Sequence, residues 1–578
     1  MKRHPLHRLS FTIMGNRSAA LETARSRLVV LSICFILAYL VVSVRLFDLM
    51  ILQGAFWSDD GQVVSSYEPA VKSGKRADIL DRNGMLLATS LKTASLYADP
   101  KFVIDAKETA AQLAKIFPDE TYESYLKKLS RPGRFVWLKR NLVPEEQMAV
   151  MKIGDPGLAF KEEYRRVYPQ GELASHIVGY TNVDGKGLAG LERGFDDTLE
   201  NDPDHAMRTT LDIRLQHALR QEISATMEKF TAKAGAGLIM NVKTGEVLAL
   251  ASLPDFDPHN PSNPSAQKMF NRPTLGVYEL GSVFKVFSIS ALLEKNEKNI
   301  FNSYDTSKPL KRGRFTITDY HGENRVLSVP EIFMVSSNIG TALIGEEVGT
   351  DGLKSFYKKL GLMTKPDVSL MEIGSPLYPT PWRDLNTLTA SYGHGIAVSP
   401  LQLTTAFSEI VNGGLQVHPT FVLPQADPSN PASVNEERKS VRVVSEETSK
   451  AMRALLRLVV SDGTAKNAEV PGYEVGGKTG TAEQPGLRGY DHKRLISSFI
   501  ATFPVTDPDY AVFVLIDEPH GTKESYGYAT AGWTAAPAVG RVIQRMVSIM
   551  GIPPYENPQS DAHSGKQMVS HVEGVTFE

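Results

Sequence analysis

Apolar positions recur along the chain with two different periods, and together they predict an α+β protein. Spacing of three to four residues predicts amphipathic helices at 106–116, 122–129, about 210–230 and about 535–550. Apolar runs bounded by turn residues predict strands at 236–242, 246–252, 473–480, 498–503 and 510–516. From residue 282 to about 361 the pattern is mostly helical. This order of elements predicts an antiparallel sheet flanked by helices.

The most apolar segment lies near the amino end. Leu28 to Val44 is interrupted only by Ser32 and Ser43, and a segment over 28–50 is long enough to cross a bilayer core of about 30 Å. Basic residues dominate positions 1–27, which predicts a cytoplasmic amino end and export of the remaining chain. A cleaved signal peptide is the alternative. Because no small-x-small cleavage site follows, we expect an uncleaved, single-pass anchor.

Changes in composition divide the exported part into three regions. Residues 53–210 form a mixed module expected to act as a pedestal, 211–552 form the large domain, and 553–578 are polar and expected to be disordered. Residues 76–84 predict a strand that leads into an Asn-Gly turn. The glycines and charges of 165–194 are expected to form turns and ion pairs. Residues 423–439, rich in Pro, Asn and Ser, predict a surface loop.

Composition narrows the possible chemistry. The 63 basic and 65 acidic residues of the 578-residue chain nearly balance, which argues against a nucleic-acid partner. The single cysteine, Cys34, rules out an intrachain disulfide framework. The sequence has no Cys/His cluster with the spacing of metal ligands, no HExxH motif and no glycine-rich phosphate loop. Neither a metal nor another cofactor is therefore expected.

One serine and one lysine stand out within the segment 276–293. Lys285 is the only charged residue in the apolar run after Ser282, and burial lowers the pKa of a lysine toward that of a neutral amine. On a helix that begins at Ser282, the two side chains share one face. A hydroxyl beside a neutral amine is an activated nucleophile, and free N–H groups at the helix start can stabilise an oxyanion.

The Ser-x-x-Lys spacing is weak evidence by itself. Three further copies lie in polar surroundings that indicate exposed surface, at Ser124…Lys127, Ser265…Lys268 and Ser355…Lys358. Only the copy at Ser282 places its lysine in an apolar helix. Taken alone, this motif leaves the catalytic and the structural interpretation equally open.

Ser336 and Asn338 lie two residues apart, between the end of one predicted helix and the start of the next. In this position Ser336 can relay a proton between Lys285 and a leaving amine, while Asn338 can bind a substrate amide. The same pattern is an ordinary helix cap, and Ser433-Val434-Asn435 repeats it in the predicted loop. It is therefore a weak signal on its own.

Residues Lys478-Thr479-Gly480-Thr481 lie on a predicted strand, where Gly480 lets another backbone approach closely. An extended peptide can add to such a strand by main-chain bonding. Lys478 can hold a terminal carboxylate, which the hydroxyls of Thr479 and Thr481 can orient. The Thr481 N–H can join that of Ser282 in an oxyanion hole. The decoy Lys243-Thr244-Gly245 sits in a tight turn, where glycine is expected for its positive φ.

Taken in order, Ser282-x-x-Lys285, Ser336-x-Asn338 and Lys478-Thr479-Gly480 resemble the active-site set of penicillin-binding proteins and class A β-lactamases. From about 60 to 550 the chain resembles class B penicillin-binding proteins in particular. Residues 76–84, 165–169 and 187–192 look like three boxes of that class, and 391–403 and 461–465 are similar to further recurring segments. Ala77 replaces a usual glycine and Leu280 a frequent proline, but neither change removes a reacting group. His394, between two glycines, is expected to be structural.

The resemblance implies a serine transpeptidase domain of the penicillin-binding/β-lactamase-like fold, preceded by a single transmembrane helix and an elongated pedestal module. It implies catalytic roles for Ser282, Lys285, Ser336 and Asn338, and substrate binding by Lys478, Thr479, Gly480 and Thr481. The implied enzyme is a D,D-transpeptidase that cross-links peptidoglycan stem peptides through a Ser282 acyl-enzyme. It is acylated by β-lactams and uses no cofactor.

The short amino-terminal module and the basic lead look most like the division-specific members of that class. They imply a periplasmic catalytic domain and membrane partners of the division machinery, including a lipid-II polymerase. Three alternatives stay open. They are an elongation-specific class B enzyme, a D,D-carboxypeptidase or β-lactamase-like hydrolase, and a non-catalytic penicillin-binding scaffold. A second, glycosyltransferase activity is not expected, since the module before residue 210 is short and has no evident catalytic carboxylates.

Overall fold

The structure is a computed structural model that describes residues 29–44 and 75–554, apart from 262–264, 314, 425–440 and 487–488. The chain divides into two compact units, Met1–Lys72 and Ser73–Glu578. In the first unit, helix α1 covers residues 29–44, inside the predicted 28–50 anchor. Across the described residues, no helix combines the length and apolarity needed to cross a membrane. The basic lead, nearly all of the predicted 423–439 loop and the tail from 555 lie outside the described residues.

A mostly antiparallel five-stranded sheet forms the amino-terminal part of the second unit, in the order β3-β2-β1-β5 with β4 paired to β2. Its strands are β1 (Ile79–Leu80), β2 (Leu86–Ala98), β3 (Val136–Leu142), β4 (Leu158–Val167) and β5 (Met207–Arg208). The helices here are α2 (Ala106–Ile116), α3 (Tyr122–Leu129), α4 (Pro144–Met151), α5 (Ser175–Val178), α6 (Gly190–Gly194) and α7 (Asp196–Asn201). The predicted bounds of α2 and α3 are confirmed. Each helix begins where a side chain, that of Asp105 or Thr121, accepts backbone N–H groups of the first turn.

The remainder of the second unit contains the antiparallel sheet that the sequence predicts, and its strands are in the order β12-β13-β14-β6-β7. Its strands are β6 (Ala234–Asn241), β7 (Val247–Leu253), β12 (Gly476–Gly486), β13 (Gly489–Phe503) and β14 (Tyr510–Asp517). Ten helices belong to the described residues of this part: α8 (Ile213–Lys229), α9 (Ala266–Met269), α10 (Lys285–Lys295), α11 (Val329–Val335), α12 (Asn338–Val348), α13 (Thr350–Lys359), α14 (Asp384–Ser391), α15 (Pro400–Val411), α16 (Glu446–Ser461) and α17 (Ala535–Met550).

Two local expectations are corrected by the structure. The stretch after α10 is not continuously helical, because two small sheets interrupt it: β8 (Ser303–Asp305) pairs with β11 (Val326–Ser328), and β9 (Leu310–Arg312) pairs with β10 (Phe315–Ile317). Helix α8 begins at Ile213 instead of about residue 210. Asp212 is its N-cap, and the Asp212 carboxylate accepts the Arg214 N–H at 3.0 Å.

Most of the second unit shares one hydrophobic core. That core includes Ile79 and Leu191 before residue 210 and Phe287, Phe499 and many others after it. A smaller core, around Leu113 and Tyr125, lies among α2, α3, α4 and the outer halves of β2 and β3. The inner part of the amino-terminal module is therefore packed against the large sheet, whereas its outer part has a core of its own.

The expected ion pairs of the amino-terminal module are present and buried. The Glu192 carboxylate forms ion pairs with Arg76, whose Nε lies at 2.9 Å, and with Arg166, whose Nε lies at 2.6 Å. All three residues are at most 8 % exposed. Arg76 also binds Asp196 at 2.7 Å. Because buried charges are tolerated only when they are paired, this network fixes the segments around Arg76, Arg166 and Glu192 to one another.

Candidate active site

Ser282 lies at the edge of the large sheet. It belongs to a 3-10 turn, Gly281–Phe284, that packs beside β12, and α10 begins only at Lys285. The expectation that the helix begins at Ser282 is therefore wrong, because a tighter turn precedes it. A Cβ atom on Gly281 would lie 2.9 Å from Thr481 O, so the serine turn and the strand are in close backbone contact.

Lys285 is fully buried at the first position of α10, below the serine turn. Its Nζ donates to Asn338 Oδ1 at 2.8 Å and to the Ser336 carbonyl oxygen, and it lies 3.1 Å from Ser336 Oγ. Burial, followed by the positive charge of Lys478, holds the pKa of Lys285 well below its usual range. In the described residues no hydrogen bond joins Lys285 to the Ser282 hydroxyl. The structure thus brings Lys285 together with Ser336, a predicted partner, and with Asn338, for which the sequence predicts a substrate contact instead.

Ser336 and Asn338 are held where two helices meet. Ser336 follows the last residue of α11 with φ of 63°, and Asn338 is the first residue of α12. Asp319 fixes this junction, because its carboxylate accepts the N–H groups of Asn338 and Ile339 and the Ser337 hydroxyl. Asp319 lies in a polar stretch without a motif, so no sequence pattern singles it out.

Lys478 is the second amine that contacts the Ser336 hydroxyl. It is fully buried on β12, and its Nζ donates to Ser336 Oγ at 2.9 Å. Burial lowers the pKa of Lys478 to about 7. The Ser336 hydroxyl therefore lies between two amines that are 193 positions apart in the chain, a convergence that only the fold produces.

Close packing of β12 on the serine turn depends on Gly480. A Cβ atom there would lie 2.3 Å from Leu280 O, so the expected close backbone approach is confirmed. Thr479 Oγ1 lies 2.8 Å from Thr464 Oγ1, and Thr481 Oγ1 accepts the Ala531 N–H at 3.1 Å. These contacts orient both threonine hydroxyls. Thr464 belongs to the segment 461–465, which is similar to a recurring segment of the class. Ala531 lies in no segment that the sequence singles out.

Glu279 forms a further group at the site, one that no sequence motif identifies. Its carboxylate accepts the Tyr490 hydroxyl at 2.9 and 3.0 Å and the Gly395 N–H at 3.1 Å. His394 Nδ1 lies 3.8 Å from it, and the His394 ring packs against Tyr490. Burial raises the pKa of Glu279 and lowers that of His394.

This arrangement has the chemical parts of a serine acyl-transfer site. A neutral Lys285 amine has two N–H groups and one lone pair. The Ser336 carbonyl and Asn338 Oδ1 take the two N–H groups, which leaves the lone pair for a proton. Within the described residues, no cluster of His, Cys, Asp and Glu side chains has the geometry to hold a metal ion.

Comparison with known proteins gives two family matches. Residues 235–540 match the penicillin binding protein transpeptidase domain, and residues 71–210 match the penicillin-binding protein dimerisation domain. The chain is 40% identical to the probable peptidoglycan D,D-transpeptidase FtsI of Caulobacter vibrioides, over 83% of this chain and 82% of the relative. It is 28% identical to the peptidoglycan D,D-transpeptidase FtsI of Escherichia coli, over 83% and 85% of the two chains.

Solved structures agree at the level of the fold. Penicillin binding protein 3 of Mycobacterium tuberculosis, complexed with aztreonam, superposes with a TM-score of 0.64 at 23% identity, over 83% of this chain and 97% of that chain. A peptidoglycan synthetase of Bifidobacterium adolescentis gives 0.65 at 22% identity, over 85% and 98%. With the two family matches and the relative at 40% identity, these findings mean that the chain belongs to the penicillin-binding protein transpeptidase family.

Proposed function

We propose that the protein is a peptidoglycan D,D-transpeptidase that works through an acyl-enzyme on Ser282. The observation that carries this proposal is the convergence of Lys285, Ser336 and Lys478 beside the serine turn, where burial lowers the pKa of both lysines. A nucleophile with an adjacent base suits a two-step covalent transfer. The names of the FtsI relatives support the same substrate class.

In the first step, Lys285 takes the proton of Ser282 as the serine oxygen attacks the carbonyl between the two terminal D-alanines of a donor peptide. Substrate binding has to bring the hydroxyl within hydrogen-bond distance of Lys285, since such contacts are often looser in the empty enzyme. The N–H groups of Ser282 and Thr481 stabilise the oxyanion. Lys478, Thr479 and Thr481 hold the terminal carboxylate, and Gly480 keeps the strand close to the nucleophile.

Breakdown of this intermediate releases D-alanine, with Ser336 passing the proton from Lys285 to the leaving nitrogen. Asn338 binds the donor amide. In the second step the amine of another stem peptide attacks the carbonyl carbon of the Ser282 ester. The C–O bond to Ser282 breaks, the amine proton passes through Ser336 to Lys285 and on to the Ser282 oxygen, and the new amide is the cross-link. Penicillins, whose shape resembles acyl-D-Ala-D-Ala, acylate Ser282 in the same way and stay bound.

The direct test is the Ser282→Ala variant treated with a fluorescent penicillin. We expect the wild-type protein to carry one covalent label, mapped to Ser282 by mass spectrometry, and the variant to carry none. A labelled Ser282→Ala protein would refute the assignment. Rapid release of hydrolysed penicillin from the wild type would favour a hydrolase over a transpeptidase.

We further propose that the enzyme acts in cell division and is anchored in the cytoplasmic membrane with its catalytic domain outside. The basic lead, the apolar run of 28–44 and the short amino-terminal module support this proposal. Membrane proteins of the division machinery, including a lipid-II polymerase, are the partners that it implies. Depletion is expected to produce filamentous cells, whereas swollen or round cells would indicate an elongation enzyme.

A further inference from the structure

Two buried lysines contact one hydroxyl in the proposed site, and their mutual repulsion opposes charging both. Lys285 and Lys478 are each fully buried, and their Nζ atoms lie 3.1 and 2.9 Å from Ser336 Oγ. Burial lowers the pKa of both amines, and the charge of Lys478 lowers that of Lys285 further. The proposed chemistry needs the charge on Lys478 and a neutral Lys285, so the protein has to favour that distribution.

The aromatic ring of Phe333 distinguishes the two amines. Phe333 is fully buried on α11, one turn before Ser336, so its ring and the Ser336 hydroxyl both reach the lysine of β12. Lys478 Nζ lies over this ring, 5.7 Å from its centroid. Among the described residues, no ring lies over Lys285 Nζ in the same way. The face of an aromatic ring attracts a cation within about 6 Å, most strongly where water is excluded.

No carboxylate takes this role at Lys478. In the part of the chain that the structure describes, no Asp or Glu oxygen lies within 4.0 Å of Lys478 Nζ. Its hydrogen-bond acceptors are the uncharged Ser336 Oγ, at 2.9 Å, and the Thr479 carbonyl oxygen, at 3.3 Å. The negative charge of Asp319 raises the pKa of Lys285 and so favours the opposite distribution of charge. The Phe333 ring counteracts that effect from the other amine.

Charged residues of the two helices beside β12 pair away from this lysine. Glu331 on α11 forms an ion pair with Arg325 at 2.8 Å. Arg457 on α16 binds Glu469 at 3.0 Å. The β13 residue opposite the lysine is Ile500, which does not titrate. These contacts leave the ring face as a group that can stabilise the ammonium.

We propose that Phe333 is a positioning residue for the transpeptidase reaction, whose ring face keeps the positive charge on Lys478 and away from Lys285. This inference rests on the proposed function, because it takes Lys478 as the group that binds the terminal carboxylate of the donor. A charged Lys478 attracts that carboxylate, while a neutral Lys285 keeps a lone pair for the Ser282 proton. Because Phe333 is fully buried, it acts through Lys478 and not by touching the substrate.

The test replaces Phe333 in the full-length protein by phenylalanines that carry one or three fluorine atoms. Fluorine withdraws electron density from the ring face and changes the shape of the ring little. The ammonium of Lys478 is then less stable, so its pKa falls and the carboxylate site loses its charge at lower pH. For the second-order rate constant of acylation by benzylpenicillin, we expect the decline at high pH to move stepwise to lower pH, by about one pH unit with three fluorines. The rise at low pH should not move down with it, because a less charged Lys478 repels Lys285 less.

The methyl ester of benzylpenicillin separates this effect from a general disturbance of the site. The ester lacks the carboxylate that Lys478 is proposed to hold. At pH 7 we expect three fluorines on Phe333 to slow acylation by benzylpenicillin about fivefold more than acylation by the ester, which is the loss of charged Lys478 that a shift of one pH unit from about 7 would cause. Equal slowing of both compounds would overturn the proposal.

Phe407 provides a matched control for fluorination. Its ring is also fully buried, on α15, and in the described residues no lysine or arginine lies over it. The same fluorinated residues at position 407 should leave the pH profile unchanged. Equal shifts at Phe333 and Phe407, or no shift at Phe333, would refute the proposal.

The same measurements separate this inference from the proposed function. A protein that is labelled at Ser282 but whose decline at high pH is insensitive to fluorination of Phe333 refutes the role of Phe333 alone. Absence of any Ser282 adduct in the unmodified protein would refute the proposed function and, with it, the inference that depends on it.

Discussion

Ser336 is the residue whose conformation connects the two lysines. Its φ of 63° is the left-handed region, which costs a non-glycine residue of order 1 kcal/mol or more. The conformation turns Oγ toward Lys478, at 2.9 Å, and Lys285, at 3.1 Å. The strained backbone conformation of Ser336 therefore accompanies the contact of one hydroxyl with both amines.

The pKa values of the same two lysines predict how acylation depends on pH. Lys285 has to be neutral to accept the serine proton, and its lowered pKa means that the rate rises as pH increases through a value well below the usual one for lysine. Lys478 has to be charged to hold a carboxylate, so the rate falls as pH increases past about 7. We expect the second-order rate constant for penicillin acylation to give a bell-shaped profile.

Lys478→Arg is the control for this profile, because a guanidinium keeps its charge throughout the accessible range. The falling limb should move to much higher pH in this variant, even if the absolute rate is lower. A falling limb that stays near its wild-type position in Lys478→Arg would contradict the assignment of that limb to Lys478.

At the scale of elements, sequence patterns predict the long helices and the large sheet well. The closing helix α17 and the short helix α2 have the bounds that their apolar spacing predicts. The four strands between Ser303 and Ser328 were missed, because three residues each are too few for an alternating pattern to be recognised. The 3-10 turn before Lys285 was missed for a similar reason, since one tight turn has the same apolar spacing as the helix that follows.

The sequence predicts those residues of the proposed site that form motifs. It does not predict which residues contact one another across the fold. The sequence identified Ser282, Lys285 and Lys478, but their order does not indicate that both amines contact one hydroxyl. The Asp319 carboxylate accepts the N–H of Asn338, which lies 19 positions later in the chain. The Glu279 carboxylate accepts the N–H of Gly395, which lies 116 positions later. Contacts of that kind depend on how helices and loops pack, and no local pattern encodes them.

Close packing between β12 and the serine turn predicts a strong effect of Gly480→Ala. The added methyl group would lie 2.3 Å from Leu280 O and 2.8 Å from Ser498 Oγ and Val283 Cγ2, so the strand or the turn has to move. We expect the free energy of unfolding to fall by about 1–3 kcal/mol, as overpacking of a core does. Because the strand carries the proposed carboxylate-binding and oxyanion groups, we also expect penicillin acylation to slow by at least about tenfold.

Gly352→Ala is a matched control for this substitution. Gly352 lies in helix α13, where the nearest atom to an added methyl group is Val348 Cγ1 at 3.2 Å. Alanine in a helix is favoured over glycine by about 0.5–1 kcal/mol, so stability should hold or rise and acylation should stay at the wild-type rate. Wild-type acylation in Gly480→Ala would show that the close approach is not needed for reaction.

At the scale of the whole molecule, the second unit contains every group of the proposed site and binds its own segments together. Glu372 accepts the Gly190 N–H, and the Asp81 carboxylate accepts the Ile213 N–H at 3.2 Å. Arg82 forms an ion pair with Glu246 at 3.1 Å. These bonds cross the boundary near residue 210 at several places, in addition to the shared hydrophobic core. The amino-terminal module is thus structurally continuous with the large sheet.

This continuity predicts the behaviour of a chain that begins at Ser73. Because Ser73–Glu578 is a compact unit with both hydrophobic cores, we expect it to fold and to react with a fluorescent penicillin within about twofold of the full-length rate. Because the apolar run of 28–44 is removed, we expect the shorter chain outside the membrane fraction and the full-length protein within it. Ser282→Ala in the shorter chain controls for unspecific labelling. A shorter chain that stays in washed membranes would contradict the proposed anchor, whereas loss of folding would show that the second unit depends on the first.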